Sequence, residues 1–165
     1  KDRRQRQMCI RDSNNIVEQK AALLLSDGSI VEADGSSNEG VLFYQIAANT
    51  NYYLSIKHRN HVAVVSNNAI NLPNESSFNF TSPLNIQGGA NQLTDMTDGN
   101  FALVVGDWNS DGVITVNDFN GYSSEISTIN GYFDGDFDFD GNIIVSDFNL
   151  FIPNASHIGV AEVRY

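Results

Sequence analysis

The sequence predicts a mainly β chain: an antiparallel sandwich followed by a small pair of loop–helix units. Three observations predict it. Residues 14 to about 97 carry short aromatic and β-branched runs punctuated by Gly, Asn, Asp and Ser. No window of helical length in that stretch keeps a 3.6-residue period. From Gly106 the pattern changes to two copies of one Asp- and Gly-rich segment, each followed by a short apolar run.

The β elements follow in order. Lys20–Leu25 is a short apolar run, closed by the turn signal Ser26-Asp27-Gly28. Ser29–Ala33 alternates, and Asp34-Gly35-Ser36-Ser37 marks the next turn. Val41–Ile46, Asn51–His58, His61–Ser66 and Ser77–Thr81 continue as strands, and Phe101–Val105 is a last short one. Together they predict an immunoglobulin-like or prealbumin-like sandwich over residues 14–105. Within it Gln87–Asn100 is weakly patterned and is expected to be an irregular connection. Residues 1–13 differ in composition from the rest, and Met8–Ser13 reads like a translated sequencing adapter. They are set aside from the fold, the rival readings being a basic arm and a real first strand.

Composition bounds the function. The 165 residues are 41% hydrophobic, enough for a packed core, and carry a formal net charge of −11. Between Arg59 and Arg164 there is no Lys or Arg, but there are 13 Asp or Glu. That balance argues against nucleic acid and anionic membrane as partners and suits a cation binder. The single cysteine, Cys9, allows no intrachain disulfide. No apolar run is long enough to cross a bilayer and no secretory core region is visible, so the chain is expected to be a piece of a longer protein.

The duplication carries the chemistry. Gly106–Tyr122 lies over Gly135–Phe151 at an offset of 29, with nine of 17 positions identical. Each copy places oxygen donors where a twelve-residue loop can wrap a hard divalent cation, at positions 1, 3, 5, 7, 9 and 12, with a turn glycine at 6. The first copy offers Asp107, Asn109, Asp111, the Val113 carbonyl, Thr115 and Asp118 around Gly112. The second offers Asp136, Asp138, Asp140, the Asn142 carbonyl and Asp147 around Gly141. Its position 9 is Ile144, whose side chain cannot ligate, so a water is expected there. Plain Asx turns explain one such cluster; two copies, each closed by Asp-Phe-Asn, point to two Ca²⁺ ions. Ile114 and Ile143, at position 8, are expected to pair the loops. Val116–Ile126 and Val145–Ile152 are expected as short helices, the first weakened by Gly121 and the second ended by Pro153.

Gly106–Ile152 resembles the duplicated type I dockerin repeat, the calcium loop-and-helix module of secreted bacterial polysaccharide-degrading enzymes. The resemblance implies docking to a cohesin domain. Here positions 10 and 11, which help to set cohesin choice, are Val116-Asn117 and Val145-Ser146. A second resemblance rests on Ala21–Gly35, on Asn51-Tyr52-Tyr53 with Lys57-His58-Arg59-Asn60-His61, and on Asp147-Phe148-Asn149 with Pro153-Asn154-Ala155-Ser156 and Ile158-Gly159-Val160. These look like a C-terminal module of large secreted, haemagglutinin-like or dockerin-bearing bacterial surface proteins. That implies an extracellular or cell-surface setting and a β domain joined to the calcium repeats. Residues 153–165 are expected to be a C-terminal tail.

Other chemistry is sparse. His58 and His61 could bind a metal or act as a base, but no third ligand lies near them in sequence. Ordering of a turn is the plainer reading. Tyr44, Tyr52, Tyr53 and Tyr122 could stack on carbohydrate, or pack the core. No nucleophile elbow, phosphate loop or dinucleotide fingerprint appears. The expectation is a non-catalytic, calcium-binding structural or binding module, whose partners are a cohesin-like or parent-protein domain or a glycan. The alternatives are a true dockerin and, more weakly, a histidine-metal hydrolase.

Overall fold

The computed structural model describes residues 4–12, 15–35, 40–74 and 76–161. Among these the chain is mainly β, with antiparallel sheets, two short helices and no closed barrel. No described helix is long and apolar enough to cross a membrane.

One sheet holds β1 (Arg4–Asp12), β2 (Asn15–Leu24), β3 (Ile30–Glu32), β4 (Thr50–His58), β5 (His61–Val65) and β6 (Ile70–Leu72). The order is β3-β2-β1-β4-β5, and β6 pairs with Thr50–Tyr52 at the start of β4. Alternation along β4 places Tyr52, Leu54 and Ile56 on one face, where they build a core with Val64, Leu72, Phe80, Ile86 and Leu93. Burying each such side chain contributes about 1.5–3 kcal/mol. A second, two-stranded sheet of β7 (Leu93–Asp95) and β8 (Phe101–Leu103) packs Leu93, Phe101 and Leu103 against the same core. The Ser26-Asp27-Gly28 turn forms as expected: Leu25 and Ser29 close it, with the Gly28 amide on the Leu25 carbonyl at 3.1 Å.

Several expectations give way. Of residues 1–13, set aside above, the described part Arg4–Asp12 is an interior strand, paired with β2 on one side and β4 on the other; residues 1–3 and 13 lie outside the described residues. Val41–Ile46 and Ser77–Thr81 are irregular rather than strands. The backbone amides of Leu42, Tyr44 and Gln45 are instead taken by the buried carboxylates of Glu32 and Glu18, at 2.7 Å each. Side chains thus replace a partner strand. Gln87–Asn100 is more regular than expected, containing a 3-10 turn (Gly89–Gln92) and all of β7.

The C-terminal third has its own core, of Val62, Val104, Val105, Ile114, Tyr122, Phe137, Ile143 and Phe151. Three of these belong to residues before 106, so no linker separates the regions. The helices are α1 (Val116–Glu125) and α2 (Val145–Phe151). Their rings meet at Phe119–Phe148 (6.2 Å), Tyr122–Phe148 (6.3 Å) and Phe119–Phe151 (6.0 Å). The 29-residue offset maps Phe119 onto Phe148 and Tyr122 onto Phe151, so the last two contacts are images of each other. The repeats are related by an approximate two-fold.

Ile114 and Ile143 are fully buried, but they do not pair the loops with each other. Ile143 exchanges hydrogen bonds with Ser127 (3.0 Å) and Thr128 (2.9 Å), just after α1. Ile114 does so with Ser156 and His157 (both 2.9 Å), just after α2. Each loop is thus held by the segment following the other repeat's helix. Ser127 and Ser156 take the same left-handed φ, 71° and 73°. Residues 156–159 are therefore part of the second repeat, not a tail.

Gly121 does not break α1. A Cβ there would run into the Trp108 indole, whose Nε1 donates to Glu125 at 3.1 Å. Helix propensity alone makes Gly121→Ala stabilising by about 1 kcal/mol. We expect net destabilisation by about 1–3 kcal/mol from overpacking, measured by urea unfolding; a stabilised variant would contradict the packing described.

Candidate metal centre

Each loop is built by its first and last carboxylates. Asp107 accepts from the Asp111 and Gly112 amides, both at 3.0 Å. Asp118 accepts from the Asn109 amide (3.2 Å) and the Thr115 amide (2.8 Å), tying the loop's start to its end. In the second loop Asp136 accepts from Gly141 (3.2 Å), and Asp147 from Phe137 (2.7 Å) and Ile144 (2.9 Å). Backbone geometry repeats as well. Ser110 and Phe139 have φ of 60° and 65°, and Gly112 and Gly141 both 89°. That last value is open to glycine and strained for any side chain.

The closing aspartates stand in the first turn of α1 and α2, where the helix dipole favours negative charge. Thr115 caps α1, its hydroxyl accepting from the Asn117 amide at 3.2 Å. Ile144 makes no such bond, as its side chain dictates. The antiparallel bridge Val113–Ile158 is made through Gly112, Ile114, His157 and Gly159, so it does not use the Val113 carbonyl.

Asp107, Asp118, Asp136 and Asp147 are at most 3% exposed. Burial, aided by the charges of Asp118 and Asp111, pushes the Asp107 carboxyl up to about 6. Burial likewise raises Asp136, with the Asp147 charge adding to it. In the second loop, oxygens of Asp136, Asp138 and Asp147 lie within 4.8 Å of one another. Asp136 Oδ1 is buried without a hydrogen-bond partner. An orphaned oxygen inside a carboxylate cluster fits a hard divalent cation. Asp140 is outside this group; it is exposed and accepts from the Asn142 amide at 2.7 Å. In the first loop Asn109 and Asp111 are exposed and bond each other at 2.9 Å. Among the described residues Asp107, Asp111 and Asp118 form no such group, so the convergence expected of both loops is seen in the second alone.

His58 and His61 are buried at the β4–β5 turn. Their Nδ1 atoms lie 3.0 Å apart and both face Asn60 Oδ1, at 3.1 and 2.8 Å. Among the described residues they belong to no group of three potential ligands. Asn60 Nδ2 donates to the Asp134 and Asp136 carbonyls, at 3.0 and 2.9 Å. The turn therefore braces the second loop. Arg59, Asn60 and the segment 156–159 were missed as parts of the site. The repeat could have revealed the last, since Ser127 and Ile129 recur at offset 29 as Ser156 and Ile158. Of the tyrosines, Tyr52 and Tyr122 are core, whereas Tyr44 is exposed beneath Lys20.

No protein-family model, curated protein or solved structure matches the chain.

The raised Asp107 sets a pH dependence. Without a divalent cation the folded state holds a proton that the unfolded chain releases near pH 4, so stability from this group falls as pH rises from about 4 through 6. In calcium-stripped protein, Asp107→Asn should match the wild type only below the unfolded carboxylate's range, at about pH 3.5, and melt higher at pH 7. In excess calcium at pH 7 the order should reverse. Melting curves of both proteins under both conditions check this.

Proposed function

We propose that the chain is a non-catalytic, calcium-stabilised module in which a sandwich-like β region is locked to a dockerin-like pair of ion loops. The observation that carries this is the convergence of Asp136, Asp138 and Asp147 on one point beside the orphaned Asp136 oxygen, in a loop the sequence repeats. Calcium supplies two positive charges and oxygen coordination there. The second loop would hold it through Asp136, Asp138 and Asp147, with Asp140 and the Asn142 carbonyl turning inward. The first would use Asp107, Asn109, Asp111, the Val113 carbonyl, Thr115 (directly or through water) and Asp118. An ion that binds only the folded state adds about 2.7 kcal/mol per site at roughly 100-fold above its Kd. Extracellular calcium modules work at about 10⁻⁴ to 10⁻³ M. That range accords with the secreted or cell-surface setting proposed for this chain.

Calorimetric titration should give two calcium ions per chain, and Asp140→Ala should lose one of them. A chelator should lower the melting temperature and change the circular dichroism. Failure of calcium to bind, or indifference to the chelator, would overturn the reading.

A second reading, true docking onto a cohesin-like partner, is favoured by one observation. Val116 and Val145 are each 68% exposed, whereas Ser146 is half-buried with its hydroxyl covered. Ile144 beside them is 45% exposed, and Asn117 is exposed. Paired apolar side chains at the starts of two symmetry-related helices suit a protein partner better than solvent. If they dock, pull-down on a cohesin panel should retain the wild type. A Val116→Asp/Val145→Asp double variant should be lost, with its calcium stoichiometry and melting temperature unchanged. A wild type that no cohesin retains would leave the stabilising role alone standing.

A further inference from the structure

The two loops differ in charge where they are alike in shape. The first has three carboxylates, Asp107, Asp111 and Asp118, with Asn109 at position 3. The second has four, since Asp138 stands where the first has Asn109. A fourth carboxylate strengthens attraction for a cation and adds like-charge repulsion when none is bound.

Among the described residues one basic side chain reaches a ligand carboxylate, and it also acts on neighbouring Asp134. Arg59 leaves the β4–β5 turn and lies 3.5 Å over the Tyr132 ring, with Phe139 at 5.7 Å. Its Nη2 is 3.8 Å from Asp136 Oδ2, the two side chains being 13% and 5% accessible. Arg59 Nε and Nη1 are buried without a hydrogen-bond partner. A guanidinium stacked on a ring and left unsatisfied on two nitrogens is held chiefly by charge and by cation–π attraction. Its neighbour Asn60 fixes the backbone at Asp134 and Asp136, so the cation is delivered to a set place. Lys57, from the same hairpin, donates to the Ser110 carbonyl at position 4 of the first loop, 2.7 Å away.

We propose that Arg59 is a built-in counter-cation of the second loop, offsetting the carboxylate that Asp138 adds and lowering that loop's calcium affinity towards that of the first. The proposal rests on the calcium reading of the loops. Arg59 holds the loop's charges together when no ion is present. When an ion enters, the fixed positive charge opposes it. The consequence runs against intuition for a buried side chain: removing Arg59 weakens the ion-free protein and tightens ion binding.

The test uses the full chain with four forms: wild type, Arg59→Gln, Asp138→Asn, and both together. Calcium is titrated by calorimetry, and melting is followed separately in calcium-stripped buffer. Arg59→Gln should bind one calcium about tenfold more tightly, leave the other unchanged, and melt lower when stripped. Asp138→Asn should weaken one site, and the double variant should return to near the wild-type affinity. Unchanged or weaker binding in Arg59→Gln would overturn the proposal and make Arg59 a brace. Should Arg59→Gln fail to fold even in calcium, Arg59→Lys keeps the charge without the planar stack. Wild-type-like affinity in Arg59→Lys then supports the counter-cation, and loss of one site overturns it. A wild type that binds no calcium sinks the calcium reading. Where the wild type does bind calcium, the counter-cation alone fails if Arg59→Gln binds no more tightly than the wild type, or melts as high as the wild type when stripped.

Discussion

Four aspartates with almost no exposure, Asp107, Asp118, Asp136 and Asp147, impose the constraint on which this structure turns. A buried carboxylate must be neutralised, paired or supplied with donors. Backbone amides meet part of the requirement. Gly112 and Gly141 fold back onto the first aspartate of each loop, and the amides at positions 3 and 9 converge on the last. The amides satisfy lone pairs but do not cancel the charge: burial first, and then the charges of Asp118 and Asp111, raise Asp107. The remainder of the architecture concentrates those charges rather than dispersing them. That concentration of charge is what the calcium proposal is built on.

The same requirement explains why the two halves share a core. A loop held only by its own turn would spring apart under like-charge repulsion. Here each is clamped from two sides. The segment after one helix pairs with the other repeat's loop, so neither repeat closes without its partner. From the β side, Val62, Val104 and Val105 enter the core beneath the loops. Gly159 lies so near that core that a Cβ would sit 2.5 Å from Val62 and 2.8 Å from the Gly112 carbonyl. Gln92 then fastens the chain end, donating to the Ile158 carbonyl at 3.1 Å and accepting from the Val160 amide at 3.2 Å.

What could be read beforehand follows from range. The loops were legible because their oxygen-bearing residues sit within twelve positions, and the spacing recurs at an offset of 29. The helices were legible from the apolar runs after Asp118 and Asp147. The strands around Ile30, Asn51–His58 and His61–Val65 announced themselves through β-branched and aromatic residues. Val41–Ile46 carries the same composition but is not a strand, because Glu18 and Glu32 reach across from β2 and β3 to take its amides. That is a long-range fact with no local signature. β7 was hidden for the opposite reason. Leu93–Asp95 is too short to show a period, and exists because Phe101–Leu103 returns beside it. Position 8 misled because two isoleucines at equal offsets look like mutual partners, whereas each pairs with a strand-like segment downstream of the opposite helix.

The departures from exact repetition trace to a single asymmetric guest. Two loops related by an approximate two-fold offer equivalent surfaces at position 4, where Ser110 and Phe139 share the left-handed backbone. Only one β4–β5 hairpin is present to meet both. Against the first loop it presents backbone and an ammonium: the Ser110 hydroxyl donates to the Arg59 carbonyl, and Lys57 to the Ser110 carbonyl. Against the second it presents rings and a guanidinium, so position 4 is a phenylalanine between His58, His61 and Arg59, at 5.0, 5.5 and 5.7 Å. Serine at 139 would leave those three large groups facing a void, and phenylalanine at 110 would collide with the hairpin backbone. The repeats keep the aspartates that take their own loops' amides, and differ where one hairpin has to fit two copies of the same shape.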